Sequence, residues 1–181
     1  MAEIKTLHIF GGNNRYQMKK IMKQQKTIVI KKKILNNNDI YNRLIQIEII
    51  NSIFDNNCVT AIEDVNIDYI IGEIKKKISS YKQQDIKKNM FNIDKFINII
   101  QVVMSLKLSN LTCHYCKKEV NLIYKEALDK TQWTIDRIDN SIGHNCDNYV
   151  IACLKCNLKK GNMNHVKFDF TTNLVINKHT D

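Results

Sequence analysis

Cys113-His114-Tyr115-Cys116 and, after a gap of 36 residues, Cys153-Leu154-Lys155-Cys156 running into Asn157-Leu158-Lys159-Lys160-Gly161 decide how this chain is read. A Cys-x-x-Cys turn brings two thiolates to one metal ion, and two such turns complete a tetrahedral set of four sulfurs suited to zinc. With every position filled by sulfur, such an ion has no open site and is structural. One pair alone would also serve thiol redox chemistry; two pairs in a segment with few other cysteines point to a metal. Cys58 and Cys146 have no partner at ligand spacing and read as buried or incidental thiols. Six cysteines, with neither a basic run nor a long apolar core in Met1–Phe10, fit a reducing, intracellular setting rather than secretion.

Between the pairs, Trp133-Thr134-Ile135-Asp136 alternates like a strand, and Arg137–His144 carries the Asn, Ser and Gly of a loop. Asp147–Ala152 is a second strand entering the second pair, and a short helix follows, ended by Gly161. The expected order is zinc turn, strand, loop, strand, zinc turn, helix. A unit this small buries too little apolar surface to stand without a metal.

CHYC at 113–116 and WTIDRIDNSIGHNCDNYVIACLKCNLKKG at 133–161 together resemble the HNH endonucleases, over roughly residues 111–165. The resemblance implies a ββα-metal fold that hydrolyses DNA phosphodiester bonds with one divalent ion, Mg2+ or Mn2+. Asp136 matches the family's metal carboxylate on the first strand, Asn157 the helix residue holding the same ion, and Asn148 the Asn that braces the loop. The chemistry agrees with the transfer, because a hard cation takes oxygen ligands from Asp136, the Asn157 carbonyl, phosphate and water. Lys155, Lys159 and Lys160, on or beside the helix, are candidates to neutralise phosphates of double-stranded DNA.

The family usually follows its strand Asp with a His that takes a proton from the attacking water, and Arg137 stands there instead. A guanidinium with a pKa above ~12 cannot act as a base near neutral pH, but it can hold the scissile phosphate. His144 in the loop is then the first candidate base, with Tyr149 and His165 behind it. Asp-Arg-Ile-Asp variants recur among phage and viral HNH-like proteins. Two readings of other classes stand beside the enzyme: an HNH fold disarmed by the missing His that only binds nucleic acid, and a transcription-type zinc ribbon. Retention of both Asp136 and Asn157 favours the enzyme, since a pure binder has no need of that oxygen pair.

Residues 1–110 match no named family. Runs at 5–10 and 26–35 read as strands, and apolar residues recur at helical spacing over 39–54, 62–81 and 93–108. The expected architecture is therefore α+β, a mainly helical region 1–110 followed by the zinc-stapled module 111–165 and a tail 166–181. The chain has 181 residues, with 28 Lys and Arg against 18 Asp and Glu. Of the net +10, +8 falls within residues 1–38, an electrostatic footprint suited to DNA docking, with dimerisation the other use open to the helical region. Hydrophobic residues at 44% and charged residues at 25% exclude a disordered tail, and no apolar run reaches the ~20 residues of a membrane span. Abundant Ile, Asn and Lys follow A/T-rich codons and fit a virus, phage or mobile element.

Overall fold

The computed structural model describes residues 38–55 and 66–174. A 3-10 turn at Asn38–Tyr41 leads into α1 (Arg43–Phe54), α2 (Ile67–Lys87) and α3 (Ile99–Leu108). An antiparallel pair follows, β1 (Trp133–Arg137) and β2 (Tyr149–Cys153), then α4 (Leu154–Lys160) and α5 (His165–Asn173). The mixture is α+β, as expected. The two strand runs before Asn38, Cys58, the basic segment up to residue 37 and the last seven residues lie outside the described residues.

Asparagine starts most of these helices. Asn42, Asn66, Asn98 and Asn164 each accept a backbone N–H of the first turn, and Asn98 forms a reciprocal capping box with Gln101. The α-helix expected to be capped by Asp39 begins at Arg43, because Asp39 sits in the preceding 3-10 turn. The helix expected from residue 93 begins at Ile99. Asn92 accepts from the N–H groups of Asp94 and Lys95, a local turn that holds the chain out of the helix. Conversely α2 runs past the end of its apolar stripe to Lys87, carrying buried Asp85 in its last turn.

β1 and β2 pair in the register Trp133 opposite Cys153 and Arg137 opposite Tyr149, and α4 packs on both strands. The core joins Ile49, Ile50, Ile70, Ile74, Val102 and Leu106 of the helices to Leu111, Trp133, Ile135 and Ile151. The change of composition at Asn110 is therefore not a structural seam. Arg43 donates to the carbonyls of Asn110 (2.7 Å) and Leu111 (3.0 Å), and Gln46 accepts from Leu122 N–H (2.7 Å). Lys77 reaches Gln132 Oε1 (2.8 Å), and Tyr81 accepts the Ile135 N–H (3.0 Å). The segment read as a tail from residue 166 opens with α5, which buries Phe168 against Tyr115. Among the described residues no helix is long and apolar enough to cross a membrane.

Candidate metal centre and carboxylate seam

The sulfur atoms of Cys113, Cys116, Cys153 and Cys156 lie within 4.8 Å of one another. Cys113 and Cys116 flank a turn closed by Lys117 N–H donating to Cys113 O (3.1 Å), with Lys117 in the left-handed region at φ 56°. Cys153 ends β2 and caps α4, accepting the Cys156 N–H on its sulfur (3.4 Å). His114 N–H donates to Ile151 O (2.8 Å) and ties the first turn to β2. The bond from Cys153 holds the Cys113 thiol far below its usual range, to about 4, and pushes Cys153 upward; burial pushes Cys156 to about 12. Four thiolates in this space require a cation, and the set can hold a tetrahedral ion such as zinc. Exposed Cys146 is not part of the cluster.

One strand face away, Thr134 and Asp136 alternate beneath α4. Asp136 Oδ2 accepts the Tyr115 hydroxyl (2.5 Å) and pairs with Lys160 Nζ (3.0 Å). Burial, then the bond to Asp136, push the Tyr115 hydroxyl well above the ordinary phenol range, so it keeps the proton it donates. Lys160 Nζ also donates to Arg137 O (2.7 Å). Asn157, one turn earlier, donates from Nδ2 to Thr134 Oγ1 (3.1 Å) and Ile135 O (3.3 Å), while Thr134 Oγ1 donates to Ala152 O (2.9 Å). Those acceptors orient the amide and leave its carbonyl oxygen turned away. Among the described residues, neither Asp136 Oδ1 nor Asn157 Oδ1 makes a hydrogen bond.

The loop between the strands is held from three sides. Asn148, buried, accepts from Asp139 N–H (2.8 Å) and donates to the carbonyls of Asp139 (2.9 Å) and Gly143 (3.0 Å). Arg137 Nη1 donates to the carbonyls of Asn140 (3.3 Å) and Ile142 (3.2 Å). Its Nε and Nη2 make no hydrogen bond among the described residues. The third hold is Asp85, whose carboxylate takes the backbone N–H of His144 (2.6 Å) and its Nδ1 (2.8 Å). A side chain at Gly143 would put Cβ 2.5 Å from Met90 O and 2.7 Å from Asp85 Oδ2, so only glycine fits.

Two expected roles are corrected here. His144 is no accessible base: it is buried, bonded to Asp85 and stacked 4.7 Å from the Tyr81 ring. Lys160 does not face solvent for phosphates. It stands four residues after inward-facing Cys156, so the helical period turns it inside, whereas Lys155 and Lys159 share the exposed face. Tyr149 packs against α3 through Ser105 Oγ (2.7 Å). His165 Nδ1 lies 2.9 Å from the Tyr115 oxygen. Because that hydroxyl's one proton goes to Asp136, its oxygen accepts in the contact with His165 and Nδ1 carries the hydrogen. Asp85 is the residue that sequence reasoning missed; the available signal was an acid in the last turn of a helix, where the dipole favours cations.

No family model, curated protein or solved structure matches this chain.

Proposed function

We propose that the chain is a metal-dependent endonuclease of the HNH type that hydrolyses DNA phosphodiester bonds. The reading is carried by one observation: a strand carboxylate and a helix amide line one seam beside the cysteine cluster, each with an oxygen that makes no hydrogen bond among the described residues. Those two oxygens fit a hard divalent ion, which takes few protein ligands and fills its shell with water and phosphate oxygens. Such an ion, when bound, supplies charge stabilisation at the phosphorus and the departing oxygen. Asp136 and Asn157 would hold it, and the order of turn, strand, loop, strand, turn and helix agrees with a ββα-metal module.

The chain's own groups do the rest. Arg137 keeps Nε and Nη2 for the scissile phosphate while Nη1 clamps the loop. Lys155 and Lys159 on the outer face of α4 neutralise flanking phosphates, so binding weakens steeply with salt. With His144 withdrawn to Asp85, His165, in contact with the Tyr115 hydroxyl that bonds Asp136, is the next histidine candidate for the base. A second reading, a zinc-stapled module that binds nucleic acid without cutting it, is favoured by a single observation: the Lys160 ammonium already pairs with Asp136.

Plasmid incubation with Mg2+ or Mn2+ separates the two. Wild type is expected to nick, and Asp136→Ala and Asn157→Ala each to lose at least about a hundredfold while keeping their zinc. No nicking of any DNA form by wild type transfers the assignment to the binding module. Equal activity in all three proteins removes the oxygen pair from the reaction.

A further inference from the structure

Lys160 is the one lysine among the described residues whose side chain is fully buried, at 0% exposure, against 5% for its partner Asp136. A buried ammonium survives only when paired, and this one has two fixed partners, Asp136 Oδ2 and the Arg137 carbonyl. The seam's other neighbours do not offset its charge. Tyr115 donates its hydroxyl to the same carboxylate oxygen, and His165 contacts that hydroxyl rather than the carboxylate. The other buried acid among the described residues, Asp85, is spent on His144. Within the seam the Asp136 carboxylate is thus already matched by the Lys160 ammonium before any cation arrives, and the Arg137 guanidinium, one residue along β1, adds no negative charge to the pair. A divalent ion entering alone finds the seam's one carboxylate already ion-paired in a buried setting where charges interact strongly.

We infer that the Lys160 ammonium competes with a divalent cation for the Asp136 carboxylate, so that the cation is taken up together with a phosphodiester rather than ahead of it. The inference rests on the assignment of Asp136 and Asn157 as the cation's ligands. A phosphate oxygen brings the missing negative charge, and Lys160 makes cation uptake conditional on substrate. Lys160 and Tyr115 both engage Oδ2, so the cation would attach at Oδ1 and the competition is for the charge of the carboxylate, not for one oxygen. Lys160 is in this sense a positioning residue, acting on the carboxylate rather than on DNA.

Mn2+ binding measured by electron paramagnetic resonance tests this on the zinc-loaded full chain, with and without a short DNA duplex carrying hydrolysis-resistant linkages. Wild type is expected to bind Mn2+ at least about tenfold more tightly with the duplex than without it. Lys160→Met, which keeps the apolar stem, and Lys160→Gln, which keeps a donor for the Arg137 carbonyl, are expected to bind Mn2+ without duplex at least about tenfold more tightly than wild type. That gain should vanish when Asp136→Asn is added. Equal Mn2+ affinity in wild type and both variants, all dependent on Asp136, overturns the competition while leaving the cation ligands in place. No Asp136-dependent Mn2+ uptake in any protein, with duplex or without, overturns the ligand assignment and the inference with it. Should both variants lose zinc and unfold, wild type alone decides: Asp136-dependent Mn2+ binding equally tight with and without duplex overturns the inference.

Discussion

Asp85 and His144 connect a helix end to the loop beside the carboxylate seam through two short bonds in a fully buried setting. Asp85→Ala strands the His144 N–H and imidazole in that interior and is expected to cost about 3 kcal/mol in chemical denaturation. Burial lowers the His144 pKa, with Asp85 partly opposing it. The imidazole therefore stays neutral in the fold while the unfolded chain takes up a proton near pH ~6.5. The contribution to stability is present above that pH and is lost as the pH falls. His144→Gln should flatten the loss between about pH 7.5 and 5.5 relative to wild type. Protonation of the cysteine cluster affects both proteins alike, so the difference reports His144. None of this was legible from the loop sequence, because the partner lies 59 residues earlier in the chain. The inward turn of Lys160 was legible, since Cys156 and Lys160 stand four apart on a helix whose first turn carries a sulfur of the buried cysteine cluster.

At the scale of elements, a metal held by the cysteine turns would do for this segment what a larger core does elsewhere. β1 and β2 are five residues each and α4 is seven, too short to be stable alone. The turn at Cys113–Cys116 is tied to β2, and Cys153 is at once strand end, helix cap and sulfur donor. Zinc removal should therefore melt β1, β2 and α4 together. Chelation, or Cys153→Ser, is expected to lower the midpoint of thermal unfolding and abolish the near-ultraviolet signal of Trp133, the direct cross-strand partner of Cys153. An apo protein with unchanged melting would remove the cluster from the fold's support. The strands and the helix were legible from period and spacing. The ends of α2 and α3 were not, because a buried aspartate prolongs one helix and the Asn92 side chain delays the other.

Across the molecule, α1, α2 and α3 form the bed on which the strands and their loop lie. Gln46, Lys77, Tyr81 and Asp85 each reach into the cysteine-bearing segment from a helix. Sequence alone separated the two regions at Asn110 because their compositions differ, yet hydrophobic burial depends on where side chains meet and the core crosses that point. The same packing holds β1 under α4 with Asp136 and Asn157 on one seam. Diffraction at the manganese absorption edge, from crystals of the zinc-loaded chain with a DNA duplex and Mn2+, interrogates that pair of oxygens. The expected result is one anomalous peak about 2.2 Å from both Asp136 Oδ1 and Asn157 Oδ1. A duplex bound with no peak there, or with manganese seated on other residues, would contradict it.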